Sequence, residues 1–521
     1  MHHRSATGSS PERWLARALL CALAAFSLAT GAALAQQPTP SATSPAPSPQ
    51  AAPAAKGMPS AVPPEASRSH HTLGVGDRQL AYTAVAGTLP LLNGKGQPAA
   101  HVFNVAYTLD NAPAPRPVTF VLNGGPGAAS AFLHLGALGP RGLDFNDKGS
   151  AAVEPVALRD NPDTWLPFTD LVFIDPVATG YSRTVAGTDE AERAYFGVDK
   201  DAEALVDVIR LYLTRAGRPL SPVFIAGESY GGFRSALLAN RLLRAGLSVR
   251  GIVMISPALE FSMLRGDRYS LLPQAMVLPS LAAAHLELTG GMGVSFDTLD
   301  EVEGFARTTY LVHMAAGQLP DPDIDRALSR YVGLPADLMH RHGSRVGVRV
   351  FRREYARAND RQLSSYDASV SAPIARGSDA HHDPILDGAV AVLAPAFTRY
   401  ARVELGYETD LDYKLLNRSV AGRWDYGTSP TRQGFAGVLG DLQEARTLSP
   451  GLGVLVANGY TDLVTPYAMS RYLIGQLAPI ESARPVELRV YRGGHMMYLR
   501  PASRKALTGD ARDFYRSVLG P

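Results

Sequence analysis

A serine set among glycines behind a run of apolar residues is the first place where this sequence could do chemistry. The stretch Phe224-Ile225-Ala226-Gly227-Glu228-Ser229-Tyr230-Gly231-Gly232 contains Gly-x-Ser-x-Gly, and residues 223–226 ahead of it read as a buried strand. Residues 233–244 behind it carry apolar side chains at helical spacing and stop at Gly246. Strand, sharp turn and helix in that order make a nucleophile elbow, which holds Ser229 exposed at the strand end. A serine hydroxyl is a weak nucleophile until an imidazole takes its proton, and the imidazole needs a carboxylate to fix its tautomer. Two later loops supply both. Asn458-Gly459-Tyr460-Thr461-Asp462 follows the apolar run 453–457, and Arg492-Gly493-Gly494-His495 follows the run 486–491. Serine, acid and histidine, each after a strand, assign Ser229, Asp462 and His495 as the catalytic residues. Asp441 and Asp510 follow no strand and are weaker candidates for the acid.

Attack on a carbonyl builds an oxyanion that needs two backbone N–H donors. Tyr230, directly after the nucleophile, supplies one. Gly125 supplies the other, from Asn123-Gly124-Gly125-Pro126-Gly127 behind the apolar strand 118–122. Further buried runs at 171–175 and 251–255 alternate with helical patterns such as 199–215, which has an Asp at its expected N-cap. That alternation predicts an α/β fold, with a mainly parallel central sheet covered on both faces. Half-buried alternation at 79–83 and 101–107 predicts antiparallel strands at one edge. The rhythm stops over 258–447, a largely helical cap insertion, and resumes at 448–521. The core is therefore expected in two parts, 71–257 and 448–521, with the insertion shaping the pocket above the strand ends.

The chain begins differently. Arg4, Arg13 and Arg17 precede an apolar run ending in Ala33-Leu34-Ala35, so residues 1–35 read as a secretory signal peptide. Residues 36–70, rich in Pro, Ala and Ser, read as a disordered tether. Cys21, the only cysteine, lies inside the signal, so an exported chain without disulfides is expected in a bacterial periplasm or the medium. Removing Arg4, Arg13, Arg17 and Glu12 from the 50 Lys+Arg and 48 Asp+Glu leaves 47 of each. Such a balance offers no field for nucleic acid, and no stable membrane association is expected after signal cleavage. Asp379-Ala380-His381-His382-Asp383 has ligand-type residues without ligand spacing, and no metal or cofactor is expected. Oligomeric state is not readable.

Asn123-Gly124-Gly125-Pro126-Gly127, Asp175-Pro176-Val177-Ala178-Thr179-Gly180-Tyr181-Ser182, Gly227-Glu228-Ser229-Tyr230-Gly231-Gly232, Asn458-Gly459-x-x-Asp462 and Gly494-His495-Met496 together resemble the serine carboxypeptidase family, in the family's order. The resemblance implies an α/β-hydrolase that releases C-terminal amino acids from a peptide substrate. It also implies that Asn123, Gly124 and Glu228 hold the substrate's terminal carboxylate, with Gly125 and Tyr230 as the oxyanion hole. A carboxyl beside a carboxylate repels it unless protonated, when it becomes a donor, and burial raises its pKa towards that state.

Four departures matter. Ala137 stands where the family carries a second glutamate, which removes the carboxyl pair behind strong acid dependence. Ala128 replaces the usual cysteine, Val121-Leu122 stands in place of the usual tryptophan, and only 33 positions separate Asp462 from His495. An esterase, amidase or other peptidase on the same triad is the alternative expectation. A non-enzymatic binding protein ranks below both, because every triad position is filled.

Overall fold

The computed structural model describes residues 63–150, 157–264, 269–290, 294–374, 382–427 and 436–520. The expected signal peptide and most of the expected tether lie outside them. Nine strands build the main sheet: β1 Ser67–Val75, β2 Arg78–Leu92, β3 Pro98–Leu109, β4 Val118–Leu122, β5 Asp170–Ile174, β6 Val223–Glu228, β7 Val249–Ile255, β8 Gly453–Gly459 and β9 Val486–Tyr491. Their spatial order is β1-β2-β3-β5-β4-β6-β7-β8-β9, and a short strand at Arg183–Thr184 adds to β3. The β1–β2, β2–β3 and β3–β5 pairs are antiparallel, and all later neighbours are parallel. The mainly parallel α/β-hydrolase sheet with an antiparallel edge is thus observed.

Side-chain alternation on the central strands divides the core between the two faces. Ile225, Phe120, Ile252 and Val454 join one cluster with Leu205 and Ile209 of α1 (Val198–Arg215) and Phe233 and Leu238 of α2 (Tyr230–Arg244). Phe224, Val121, Val253 and Leu455 face the other way, where the Phe224 ring stacks on Tyr515 with centroids 3.9 Å apart. The N-cap of α1 is Gly197 rather than an aspartate; Asp199 and Asp201 sit in its first turn, where they complement the helix dipole.

Two expectations from sequence are corrected. The tether 36–70 runs too far, because β1 begins at Ser67 and pairs along its length with β2 from Ser67↔Ala86 to Val75↔Arg78. The cap 258–447 is too broad. Beyond α3 (Leu271–Gly290), α4 (Pro384–Val403) packs into the sheet's own core, where Tyr400 Oη lies 2.9 Å from Tyr107 Oη. Next, α5 (Leu439–Leu448) lies along α2, with Asn240 Nδ2 donating to Asp441 Oδ1 at 2.9 Å. Helical periodicity says that a helix forms but not which layer receives it. The last helix, α6 (Pro501–Leu519), carries the Phe514 and Tyr515 that cover β6 and β7.

The corrected boundary sets a deletion experiment. A variant beginning at Pro63 should keep the parental melting temperature and turnover. One beginning at Gly76 loses β1, bares the β2 edge and should aggregate. Equal solubility of the two, by size-exclusion chromatography, would show that β1 is dispensable.

Candidate active site

Ser229 caps α2 with φ +58° and ψ −119°, the strained elbow expected from Gly-x-Ser-x-Gly. A Cβ at Gly227 would fall 2.0 Å from Gly231 O, so the turn closes only with glycine there. Ser229 is half-buried between buried neighbours, and it lines an open cleft together with Asn123, Gly124, Gly125, Glu228 and His495.

Asp462 and His495 meet at the wall of the same cleft. His495 Nδ1 lies 2.9 Å from Asp462 Oδ2, and both side chains are buried. Asp462 Oδ1 accepts the N–H groups of Val464 at 2.7 Å and Thr465 at 2.9 Å, which aims the carboxylate. Burial disfavours the charged imidazole, but Asp462 and then Glu228 outweigh it, and the His495 pKa is raised above its ordinary value.

The loop after β4 closes the other side. Asn123 donates from Nδ2 to Glu228 Oε2 and accepts from Leu133 N at Oδ1, 3.0 Å. Gly124 presses on the elbow: a Cβ there would meet Tyr230 N at 2.6 Å. Gly125 is solvent-exposed in the same cleft. Asn123, Gly124, Gly125, Glu228, Ser229 and His495 thus share one cleft, Tyr230 N borders it at Gly124, and Asp462 stands behind His495. Burial, reinforced by Asp462, pushes the Glu228 carboxyl up to about 7 against the opposing pull of His495, Tyr498 and Asn123.

Several supporting residues escape a reading by motif. Thr465 Oγ1 lies 2.7 Å from Asp462 Oδ2 and 3.0 Å from His495 Nδ1, bridging acid and base. Its position three residues after an aspartate is the local signal that could have found it. Arg234, buried in α2, pairs with Asp201 at 2.6 Å and donates to Asn123 O at 2.8 Å. Their sequence separation gave no signal. Asp175, by contrast, opens one of the motif blocks; its Oδ1 accepts from Ser130 N at 2.8 Å, anchoring the loop that carries Gly125, and burial lifts its carboxyl to about 7.

The insertion reaches the site through residues 364–370. Tyr366 O accepts the His495 N–H at 2.5 Å and its ring stands edge-on to the imidazole, centroids 5.2 Å apart. Ser365 O accepts from Leu463 N at 3.0 Å, and Asp367 accepts from Thr461 Oγ1 at 2.8 Å and Arg500 Nη2 at 2.7 Å. One segment thereby ties down the loops that carry Asp462 and His495. Asp379, Ala380 and His381 lie outside the described residues. Asp383 caps α4 and receives Ser364 Oγ at 2.6 Å, a structural use.

The serine carboxypeptidase family model matches residues 83–250, which include Asn123 to Gly127 and Glu228 to Tyr230 but neither Asp462 nor His495. Serine carboxypeptidase-like 51 of Arabidopsis thaliana is 34% identical over 146 residues, 26% of this chain and 28% of that protein. Carboxypeptidase Y homolog A of Paracoccidioides brasiliensis is 31% identical over 145 residues, 27% of this chain and 24% of that protein. The matches span about a quarter of these relatives' length. In three dimensions, Kex1(delta)p, a prohormone-processing carboxypeptidase from Saccharomyces cerevisiae, covers 84% of this chain and 91% of its own, with TM-score 0.55 and 16% identity. That likeness speaks for the fold. Through the family match and the motif blocks within it, the chain is related to the serine carboxypeptidases, on an α/β-hydrolase fold.

Proposed function

We propose that this chain is a serine-type carboxypeptidase that removes C-terminal amino acids through an acyl-enzyme. One observation carries the reading: a buried glutamate, held by the Asn123 amide, shares a cleft with the candidate nucleophile and base. His495 takes the Ser229 proton as Oγ attacks the last peptide carbonyl, and Asp462 holds the imidazolium that forms. The N–H groups of Gly125 and Tyr230 receive the oxyanion. His495 returns the proton to the departing amine, and the same steps with water release the acyl group. Protonated Glu228, with Asn123 and Gly124, receives the substrate's terminal carboxylate. We read the enzyme as exported, to a periplasm or the medium, on the strength of the Arg-flanked apolar segment before Ala35 and the lone Cys21.

A second reading has its own support. Among the cleft's described lining residues, Phe132, Leu386, Leu416, Val464 and Met496 are apolar, and none is Lys or Arg. A surface without a cation suits an uncharged ester or amide. Blocked dipeptides with free and amidated C-termini decide between the readings. We expect kcat/KM to favour the free acid by about 100-fold, the worth of a buried charge-assisted hydrogen-bond pair. Equal rates would favour the esterase or amidase.

A further inference from the structure

Tyr498 is fully buried in the turn Met497–Leu499, three residues after His495, and its hydroxyl has no aligned hydrogen-bond partner. A buried donor in that state is costly unless a partner lies within a small rotation. The group it faces is the Glu228 carboxyl, with the Asn123 amide alongside. Its ring packs against Gly136 in the turn His134–Leu138, the turn that also carries Ala137. Asn123 already donates to Glu228 Oε2, so the carboxyl keeps acceptor capacity for one more donor beside an incoming substrate. Every other titratable group facing Glu228 among the described residues is otherwise engaged or points elsewhere: His495 and Asp462 hold each other, and the Tyr366 phenol belongs to the wall over His495.

We propose that Tyr498 is a positioning residue for Glu228, its hydroxyl donating to the carboxyl and deciding whether that carboxyl meets a substrate carboxylate as a donor or as a like charge. The proposal rests on the carboxypeptidase reading of Glu228. A phenol donates more strongly to a carboxylate than to a carboxylic acid, so the hydroxyl favours the ionised glutamate. Burial and Glu228 together hold the phenol's own ionisation well above its ordinary value, so it remains a donor at every working pH. Tyr498 therefore narrows activity on free-acid peptides from the alkaline side and imposes no such limit on amides.

The test is Tyr498→Phe, with kcat/KM followed from about pH 5 to about pH 9 on a blocked dipeptide and its amide. The alkaline limb on the free acid should move up by about 0.5 to 1 pH unit, and the amide should show no such limb in either form. An unmoved or lowered limb overturns the proposal. In a Glu228→Gln background the same substitution should shift nothing, and a shift there would mean that the hydroxyl acts through another group. If Tyr498→Phe does not fold, 3-fluorotyrosine at 498 keeps the shape with a stronger donor. It should move the limb down, and an unmoved limb again overturns the idea. If the unaltered protein treats acid and amide alike, the carboxypeptidase reading itself falls and takes this proposal with it. A clear free-acid preference with an unmoved limb in Tyr498→Phe removes Tyr498 alone.

Discussion

Ser229→Ala and His495→Ala should each lower kcat by about 10⁴-fold or more while the protein stays folded. In the proposed mechanism Ser229 takes the acyl group and His495 takes its proton, so the two act as a unit and their losses should not add. Alanine occupies the Ser229 backbone conformation at no greater cost than serine, since both carry a Cβ at φ +58°. Removing the His495 ring leaves Asp462 with three donors, Val464 N, Thr465 N and Thr465 Oγ1, so the buried carboxylate is not stranded. Turnover, melting temperature and labelling by a fluorophosphonate should be measured together. Lost labelling with an unchanged melting temperature is the expected result. Near-normal turnover in Ser229→Ala would end the serine-hydrolase reading.

The residues that carry this prediction were legible because each follows a strand within a few positions. Apolar runs such as 223–226 and 453–457 fix the strand, and the strand fixes where its loop emerges. Strand β8 extends through Asn458 and Gly459, two residues past the apolar run, without moving Asp462 off its C-terminal end. The sequence could not show contacts made across long separations by residues with no shared period. Tyr366 meets His495 from deep inside the insertion, and Arg234 reaches Asn123 O only because α2 and the loop after β4 are brought together by the sheet order. The broad reading of the cap failed for the same reason: the amphipathic pattern of α4 is equally compatible with a lid and with the core layer where Phe397 and Tyr400 are buried.

Glu228→Gln should separate charge from hydrogen bonding at the same position, and its largest effect should come at high pH. With its pKa raised to about 7 by burial, Glu228 loses its proton within the working range. On a free-acid peptide the parental kcat/KM should then fall about tenfold per pH unit above that point, reaching roughly 100-fold by about pH 9. The acid limb belongs to His495, which must be neutral to accept the serine proton and whose raised pKa moves that limb upward. The two limbs should leave an optimum near neutrality, less acid than a carboxyl pair would give, since Ala137 supplies no second glutamate. Glutamine keeps a donor and does not titrate, so the variant should start lower at the optimum, lose its alkaline limb and overtake the parent. On the amide neither protein should show the Glu228 alkaline limb, and the variant should differ only in an acid limb moved down, because the Glu228 charge no longer helps hold the His495 pKa up. Stability provides an independent reading of the same group. A carboxyl whose folded pKa is raised from about 4.5 to about 7 stabilises the fold fully below the lower value, and that stability is lost as pH rises through the upper one. The loss is about 3 kcal/mol at most for Glu228. Asp175, lifted likewise to about 7, contributes a decline of the same sign that the variant retains. Glu228→Gln should therefore flatten part of the fall in melting temperature between about pH 5 and about pH 8. Coincident activity profiles of the two forms on acid and amide would show that Glu228 does not sense the substrate carboxylate, and the esterase or amidase reading would take its place.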